Sequence, residues 1–470
     1  VKKYFLYIGI AFTLSICAYA KQYTSLTENV NQLIKSNGLN SASIAIKVLD
    51  ASTGENVFSL NEYKNHMPAS NTKLVTAVSA LLVLGQDYQY QTKLYYDSKV
   101  SSTEIHNLYI DFSGDPSLTT KSMTNLLQAL VRANIKNIKG DVFLVNRFFQ
   151  GRDYPINQSQ SDSIFGYGAP SSIYNLNENA VALSFTPKVH GFDVKQVEGE
   201  SIIYQNEVVA ANDKMLKTCQ FNAKSDQNNV LILAGCLPKA PYTFRLAIPD
   251  PTLMMQTFVK QKIKALEIGL VGEVRITTSL PEKAKQIATH FSPKLSVLTK
   301  HMLQTSDNLY AQTLVRTIGY YHYGVGSIVA GKNAMLEILK DKLDLDVSSI
   351  QLEDGAGMSA NNLLSTDFLS DLLYKMQTQK VFDVFEQALP VYTKNAIPAH
   401  RKNEWLKGKV IAKTGTGTTV SALSGYLCTK DRKRYVFSIL ISDLTNHQRK
   451  TALVFQSQFL ESLYELKFQH

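Results

Sequence analysis

Apolar and polar residues recur along this chain with two periods, and the switches between them predict its elements. Residues 25–38 carry a helical spacing, with Leu26, Leu33 and Ile34 on one side, and stop at Gly38. Ser43–Leu49 and Val57–Leu60 read as strands joined by the turn Ala51-Ser52-Thr53-Gly54, a hairpin. Next comes an almost unbroken apolar run, Leu74, Val75, Ala77, Val78, Ala80, Leu81, Leu82 and Leu84, which predicts a helix buried on all sides. After Gln86 the texture turns to strands rich in Tyr and Thr: Tyr88–Tyr96, His106–Asp111, Gly140–Val145, Ala180–Phe185, Ser201–Tyr204 and Val230–Leu233. A helix at Met123–Ala133 interrupts them, and Ser159–Tyr174 reads as a long loop.

Helical spacing returns at Leu295–Leu303, Leu309–Ile318, Val329–Leu339 and Phe368–Met376. Three strands follow, Val410–Lys413, Ser421–Cys428 and Tyr435–Ser442, the last two joined through Lys430–Lys433, and an amphipathic helix at Thr451–Leu466 closes the chain. The expected organisation is an α/β (α+β) domain from residues 21–87 and 288–470, split by a mainly β insertion over 88–287. Its first and last strands would share one sheet, with the terminal helices against it.

Composition changes the picture at the ends. With 470 residues, 44% hydrophobic and 19% charged, the chain is globular and large enough for several domains. Lys2 and Lys3, an apolar run from Tyr4 to Cys17, and Ala18-Tyr19-Ala20 together read as a secretory signal peptide over residues 1–20, cleaved after Ala20. No later stretch is apolar and long enough to span a membrane, so a periplasmic protein is expected. The formal charge of +10 falls to about +8 without Lys2 and Lys3, and the basic residues are scattered rather than clustered. That suits an anionic envelope, with room for weak surface association, and not nucleic acid. In an oxidising compartment Cys219 and Cys236 can pair, while Cys428 is expected as a buried thiol in a core strand.

The chemistry gathers at short motifs. Ser70 and Lys73, three apart at the mouth of the buried helix, share a face there, so an amine can take the proton of a nucleophilic hydroxyl. Taken alone, Ser70 reads first as a helix N-cap. Two further motifs change that: Ser306-Asp307-Asn308 between helical runs, and Lys413-Thr414-Gly415 at a strand end. Ser-x-x-Lys, Ser-Asp-Asn and Lys-Thr-Gly in that order form the set of penicillin-binding proteins and class A β-lactamases. In this reading Ser70 attacks a carbonyl and Lys73 accepts the proton. Ser306 relays a proton to the leaving amine, and Asn308 holds the substrate amide. Lys413 and Thr414 bind a terminal carboxylate, Gly415 lets the strand edge approach the substrate, and the amides of Ser70 and Thr416 form an oxyanion hole. A second Ser-x-Asn, Ser359-Ala360-Asn361, lacks the flanking helices of Ser306. Gly355-Ala356-Gly357-Met358-Ser359-Ala360 fits a dinucleotide fingerprint only without its strand-to-helix context.

On these motifs the chain resembles the class C low-molecular-mass penicillin-binding proteins, the D-alanyl-D-alanine carboxypeptidase/endopeptidase family of peptidase S13 (penicillin-binding protein 4 type). Three further segments are similar to that family's: Ser113-Gly114-Asp115-Pro116-Ser117-Leu118, Tyr174-Asn175-Leu176-Asn177-Glu178-Asn179 and Asp354-Gly355-Ala356-Gly357-Met358-Ser359. Gly417 stands where the family usually has Leu. The resemblance implies a serine β-lactamase/transpeptidase-like fold with a long insert after the serine helix. It implies removal of terminal D-Ala from peptidoglycan stem peptides, hydrolysis of D-Ala–diaminopimelate cross-links, and acylation by β-lactams. It implies no cofactor or metal, and makes Asp162 in the insert a candidate contact for the diaminopimelate side chain.

Other readings are a serine β-lactamase, a non-catalytic penicillin-binding sensor and a zinc peptidase. The Glu-x-x-Leu-Asn element that class A β-lactamases use for deacylation does not occur between Ser70 and Ser306. The nine histidines are scattered without ligand spacing, and His66 is expected to be structural.

Overall fold

The computed structural model describes residues 26–155, 157–189, 191–226, 228–392 and 406–466. The signal-peptide reading over residues 1–20, with Lys2, Lys3, Cys17 and the Ala20 cleavage point, lies outside them.

An antiparallel five-stranded sheet joins the two ends of the chain, in the order Val410–Thr416, Ser421–Cys428, Arg434–Ser442, Ser43–Asp50, Asn56–Leu60. Its period of two sorts the side chains. Tyr435, Phe437, Ile439 and Ile441 pack with the helix at 26–36 and the C-terminal helix Gln448–Tyr464. Val436 and Leu440 face the opposite layer of helices. That layer contains the serine helix Thr72–Leu84, then Leu295–Thr305, Asn308–Tyr323, Ile328–Leu343, Thr366–Met376 and Phe382–Ala388. The serine helix is buried from Thr72 through Leu81, as its unbroken apolar run requires. Among the described residues no helix is long and apolar enough to cross a membrane.

The elements of the insert are mostly strands, and its first part adds two helices to the sheet. Its first part is a mixed sheet, ordered Val274–Thr277, Val142–Asn146, Leu108–Phe112, Gln91–Tyr96, Lys285–Phe291, whose first three strands are parallel. Helices Thr120–Arg132 and Pro251–Ala265 pack into its core. Parallel neighbours need crossovers, and these helices supply them. The last strand returns to pair with Gln91–Tyr96 and runs past residue 287 to Phe291. A smaller β part, with the strands Ala180–Lys188, Gly191–Glu198 and Tyr242–Ala247, has its own apolar cluster around Phe185 and Leu233. The Cys219–Cys236 disulfide lies in this part. Cys428 is exposed rather than buried, because it ends its strand opposite Arg434 where the hairpin leaves the core.

Two of the family-like segments fix turns within the insert. Asp115 accepts hydrogen bonds from the backbone N–H (2.8 Å) and hydroxyl (2.6 Å) of Ser117 and so fixes a turn. The Asn179 side chain donates to Pro170 O and Asn175 Oδ1, both at 2.8 Å, and accepts from Leu176 N at 2.9 Å. His66 is buried, with Nδ1 3.0 Å from Ser442 Oγ, and burial pushes its pKa down to about 4; it is a structural residue.

Candidate active site

Ser70 occupies a single 3-10 turn, Ala69–Asn71, which leads into the α-helix beginning at Thr72. In a 3-10 turn side chains three apart eclipse, which puts Lys73 over Ser70. The Lys73 Nζ lies 3.0 Å from Ser70 Oγ, 2.6 Å from Asn308 Oδ1 and 2.7 Å from the carbonyl of Ala356. Lys73 is 0% exposed. Burial, reinforced by the charge of Lys413 and opposed by Asp354 and Asp307, pushes its pKa down to about 7.

The Asp354–Ser359 turn sets the third of those contacts. Buried Asp354 accepts from the amides of Ala356 (2.7 Å), Gly357 (2.6 Å), Met358 (3.3 Å) and Ser359 (2.6 Å), which folds the turn around one carboxylate. Gly357 has φ +83°, and a Cβ there would sit 1.8 Å from the Ala69 carbonyl oxygen. The turn is thereby seated on the backbone just before Ser70, where Ala69 itself has φ +45°. Ser359, the rival Ser-x-Asn serine, is used within this turn: its hydroxyl accepts from Asn361 N at 3.1 Å.

Ser306 ends helix Leu295–Thr305 in the left-handed region (φ 61°), and Asp307 caps the next helix through Tyr310 N at 3.0 Å. This sharp reversal turns Ser306 towards the sheet, 3.0 Å from Lys413 Nζ. Lys413 is 1% exposed, also donates to Thr414 O at 2.9 Å, and burial pushes its pKa down to about 8. Asn308 is engaged at both ends of its amide. Its Nδ2 donates to Tyr167 O (2.8 Å), which aims Oδ1 at Lys73.

Lys413, Thr414, Gly415 and Thr416 lie on the outermost strand of the sheet. Ala412 N–H points outwards to Pro390 O at 2.9 Å, and alternation puts the amides of Thr414 and Thr416 on the same open side. Gly415 is buried, and a Cβ on it would meet Pro68 O at 2.5 Å and Asn71 Nδ2 at 2.9 Å. The glycine therefore lets the edge strand seat against the turn that carries Ser70. Asp162 does not reach these residues directly. It accepts from the hydroxyl of Tyr167 at 2.9 Å, and the carbonyl of that same tyrosine holds Asn308.

The motifs left Ala356, Asp354 and Tyr167 without a role. The acidic residue at the head of a glycine-rich turn was the available signal for Asp354, because a carboxylate followed by several free amides can fold them around itself. The other two contribute backbone carbonyls, which no side-chain motif marks. Glu178, His301 and Asp307 each bring one possible ligand atom within 4.8 Å of the others. Arg245 already supplies a cation to Glu178 at 2.7 Å, so the trio is part of an ion-pair cluster.

A helix layer carrying Ser70 and Lys73, set against the edge strand of an antiparallel sheet, is the layout of the β-lactamase-like serine hydrolases, and this chain shares that fold. The D-Ala-D-Ala carboxypeptidase 3 (S13) family matches residues 26–461, and the chain belongs to that family of serine D-Ala-D-Ala carboxypeptidases. It is 26% identical over 432 residues to the D-alanyl-D-alanine carboxypeptidase of Actinomadura sp. (strain R39), covering 87% of this chain and 80% of that protein. It is 26% identical over 414 residues to D-alanyl-D-alanine carboxypeptidase DacB of Haemophilus influenzae, covering 85% of each. The crystal structure of penicillin binding protein 4 (dacB) from Haemophilus influenzae superposes with a TM-score of 0.83 at 23% identity, over 93% of this chain and all of that one. The same protein complexed with a β-lactam gives a TM-score of 0.79 at 22% identity, over 93% of this chain and 100% of that one.

Proposed function

We propose that the chain removes the terminal D-Ala of peptidoglycan stem peptides, and opens D-Ala–diaminopimelate cross-links, through an acyl-enzyme on Ser70. The observation that carries the reading is the set of contacts at Lys73. A neutral amine has two N–H bonds and one lone pair. Two of the three neighbours, Asn308 Oδ1 and the Ala356 carbonyl, are pure acceptors and take the two N–H bonds. The lone pair then faces the Ser70 hydroxyl, 3.0 Å away.

Ser70 Oγ attacks the penultimate D-Ala carbonyl as its proton passes to Lys73. The amides of Ser70 and Thr416 receive the developing oxyanion. The C–N bond breaks, and the leaving amine takes a proton by way of Ser306. Water then attacks the ester and regenerates Ser70. Lys413 and the Thr414 hydroxyl bind the substrate's terminal carboxylate. Asn308, with its amide already held at both ends, orients Lys73, and Gly415 seats the strand that carries these groups. Asp162 and Tyr167 form the insert's wall of the cleft and are the candidate contacts for a diaminopimelate side chain. The signal-peptide reading places this activity in the periplasm, with peptidoglycan peptides as substrates and β-lactams as covalent inhibitors.

The test is incubation of the mature protein with a fluorescent penicillin, followed by peptide mapping, with Ser70→Ala as control. A long-lived adduct on Ser70 that is absent from the variant is expected. Rapid loss of the penicillin without an adduct would instead mark a β-lactamase, and neither adduct nor turnover would overturn the reading.

A further inference from the structure

His301 sits on helix Leu295–Thr305, more than a turn before Ser306, and takes no part in the chemistry above. Its Nε2 lies 3.5 Å from Asp307 Oδ2 and 3.8 Å from Glu178 Oε1. The two carboxylates come from different parts of the molecule. Asp307 separates Ser306 from Asn308 and caps the helix that Asn308 begins. Glu178 belongs to the Asn177–Asn179 turn of the insert, where it adopts φ 58°. The second oxygen of Glu178 accepts from Arg245 on strand Tyr242–Ala247 at 2.7 Å, and Glu198 adds its field to Arg245. The Tyr310 ring covers the imidazole, with centroids 4.4 Å apart. The groups facing His301 are thus two carboxylates, one guanidinium beyond them, and a phenol.

Asp307 is also one of the charges that favour the protonated form of Lys73. Whatever neutralises Asp307 favours the free amine, which the Ser70 chemistry requires.

We propose that His301, as an imidazolium, is a positioning residue that ties the Ser306–Asp307–Asn308 turn to the insert through Glu178 and screens Asp307 from Lys73. The proposal rests on the Ser70 acyl-enzyme reading. The Asp307 carboxylate 3.5 Å away, followed by the field of Glu178, holds the His301 pKa above its ordinary 6.5 against partial burial and the charge of Arg245. The tie is therefore fully made below about pH 6.5 and is lost as pH rises through the raised value.

The experiment is the pH profile of the second-order rate of acylation by a penicillin, measured on the full mature chain. In His301→Gln the rise of the profile, which reports loss of the Lys73 proton, moves to higher pH. A displacement of about 0.5 unit lowers the rate near pH 7 by up to about threefold. His301→Arg keeps the charge and restores the parent profile. Asp307→Asn, which preserves an N-cap, moves the rise to lower pH, and adding His301→Gln to it has no further effect. A His301→Gln profile that superimposes on the parent's would overturn the proposal. So would failure of His301→Arg to rescue, because packing and not charge would then be at work. If His301→Gln does not fold, Asp307→Asn carries the test alone, and an unmoved profile there overturns it. If the parent is not acylated at all, the Ser70 reading fails and the profile is never reached, so the two failures are distinct.

Discussion

Two buried lysines with opposite requirements govern the chemistry proposed at the residue scale. Lys73 has to be neutral to take the proton of Ser70, and burial brings its pKa to about 7. Lys413 has to stay charged to hold a carboxylate, and burial brings its pKa to about 8. Acylation by a penicillin, which carries such a carboxylate, should rise with pH through about 7 and fall through about 8. A stopped-flow profile from pH 5 to 10 should therefore show a narrow bell between those values, and a flat profile across that range would exclude Lys73 as the base. Lys413→Gln should remove the falling limb. It should also shift the rising limb upwards, because the Lys413 charge helps to hold the Lys73 pKa down. Lys73→Gln should lower the acylation rate by about 10²–10⁴-fold at every pH. Ser70, Lys73, Ser306, Asn308 and Lys413 were legible as candidates because the chemistry proposed for them resides in side chains at fixed spacings. What lay hidden is what orients them. The carbonyls of Ala356 and Tyr167 are backbone atoms brought in from turns 283 and 141 positions away from their partners.

At the scale of the element, the Asp354–Ser359 turn acts as a wedge behind Ser70. Its carboxylate gathers four amides, its Ala356 carbonyl holds Lys73, and its Gly357 lies against the Ala69 backbone. Gly357→Ala would place a methyl carbon 1.8 Å from the Ala69 oxygen, at a φ that L residues rarely adopt. Neither the turn nor the Ser70 turn can move without disturbing the other. The variant should lose at least about 2 kcal/mol of stability in urea, and its acylation rate should drop on the order of 100-fold. Unchanged acylation would mean that the wedge does not position Ser70.

The strands of the catalytic sheet were legible because a strand packed on both faces reads as a continuous apolar run between polar turns, as in Tyr435–Ile441. Helix Pro251–Ala265 was missed, although Asp250 as N-cap and Pro251 at the first position are ordinary start signals. Its buried residues, Met255, Phe258, Val259 and Ile263, form a narrow stripe among lysines, weaker than the strand texture around it.

On the scale of the whole molecule, the insert has to be held rigidly if a wall carrying Tyr167 and Asp162 is to define a cleft. Arg316 is the pin. It rises from the middle of helix Asn308–Tyr323, is 1% exposed, and lies over the Phe149 ring with its guanidinium carbon 4.5 Å from the centroid. Its guanidinium donates to Asp153 Oδ1 at 2.6 Å and to the carbonyls of Gln150 (3.1 Å) and Gly326 (3.3 Å), and it also holds the Ser171 carbonyl. Three of these partners, Gln150, Asp153 and Ser171, belong to the insert, so a single cation on the catalytic helix anchors the segment on either side of the Asp162 loop. Arg316→Met keeps most of the volume but leaves the half-buried Asp153 carboxylate and several carbonyls without their donor. The expected cost is about 2–3 kcal/mol, read by urea denaturation. Amide hydrogen exchange should accelerate across residues 150–175 more than in the catalytic sheet, since only the insert side loses its anchor. Acylation of Ser70 by a penicillin should survive in the folded variant, because Ser70, Lys73 and Asp354 do not touch Arg316. Hydrolysis of a diaminopimelate-containing peptide should weaken through KM, because that substrate has to meet the loosened wall. Equal losses for penicillin and peptide would show that Arg316 supports the serine helix instead of the insert.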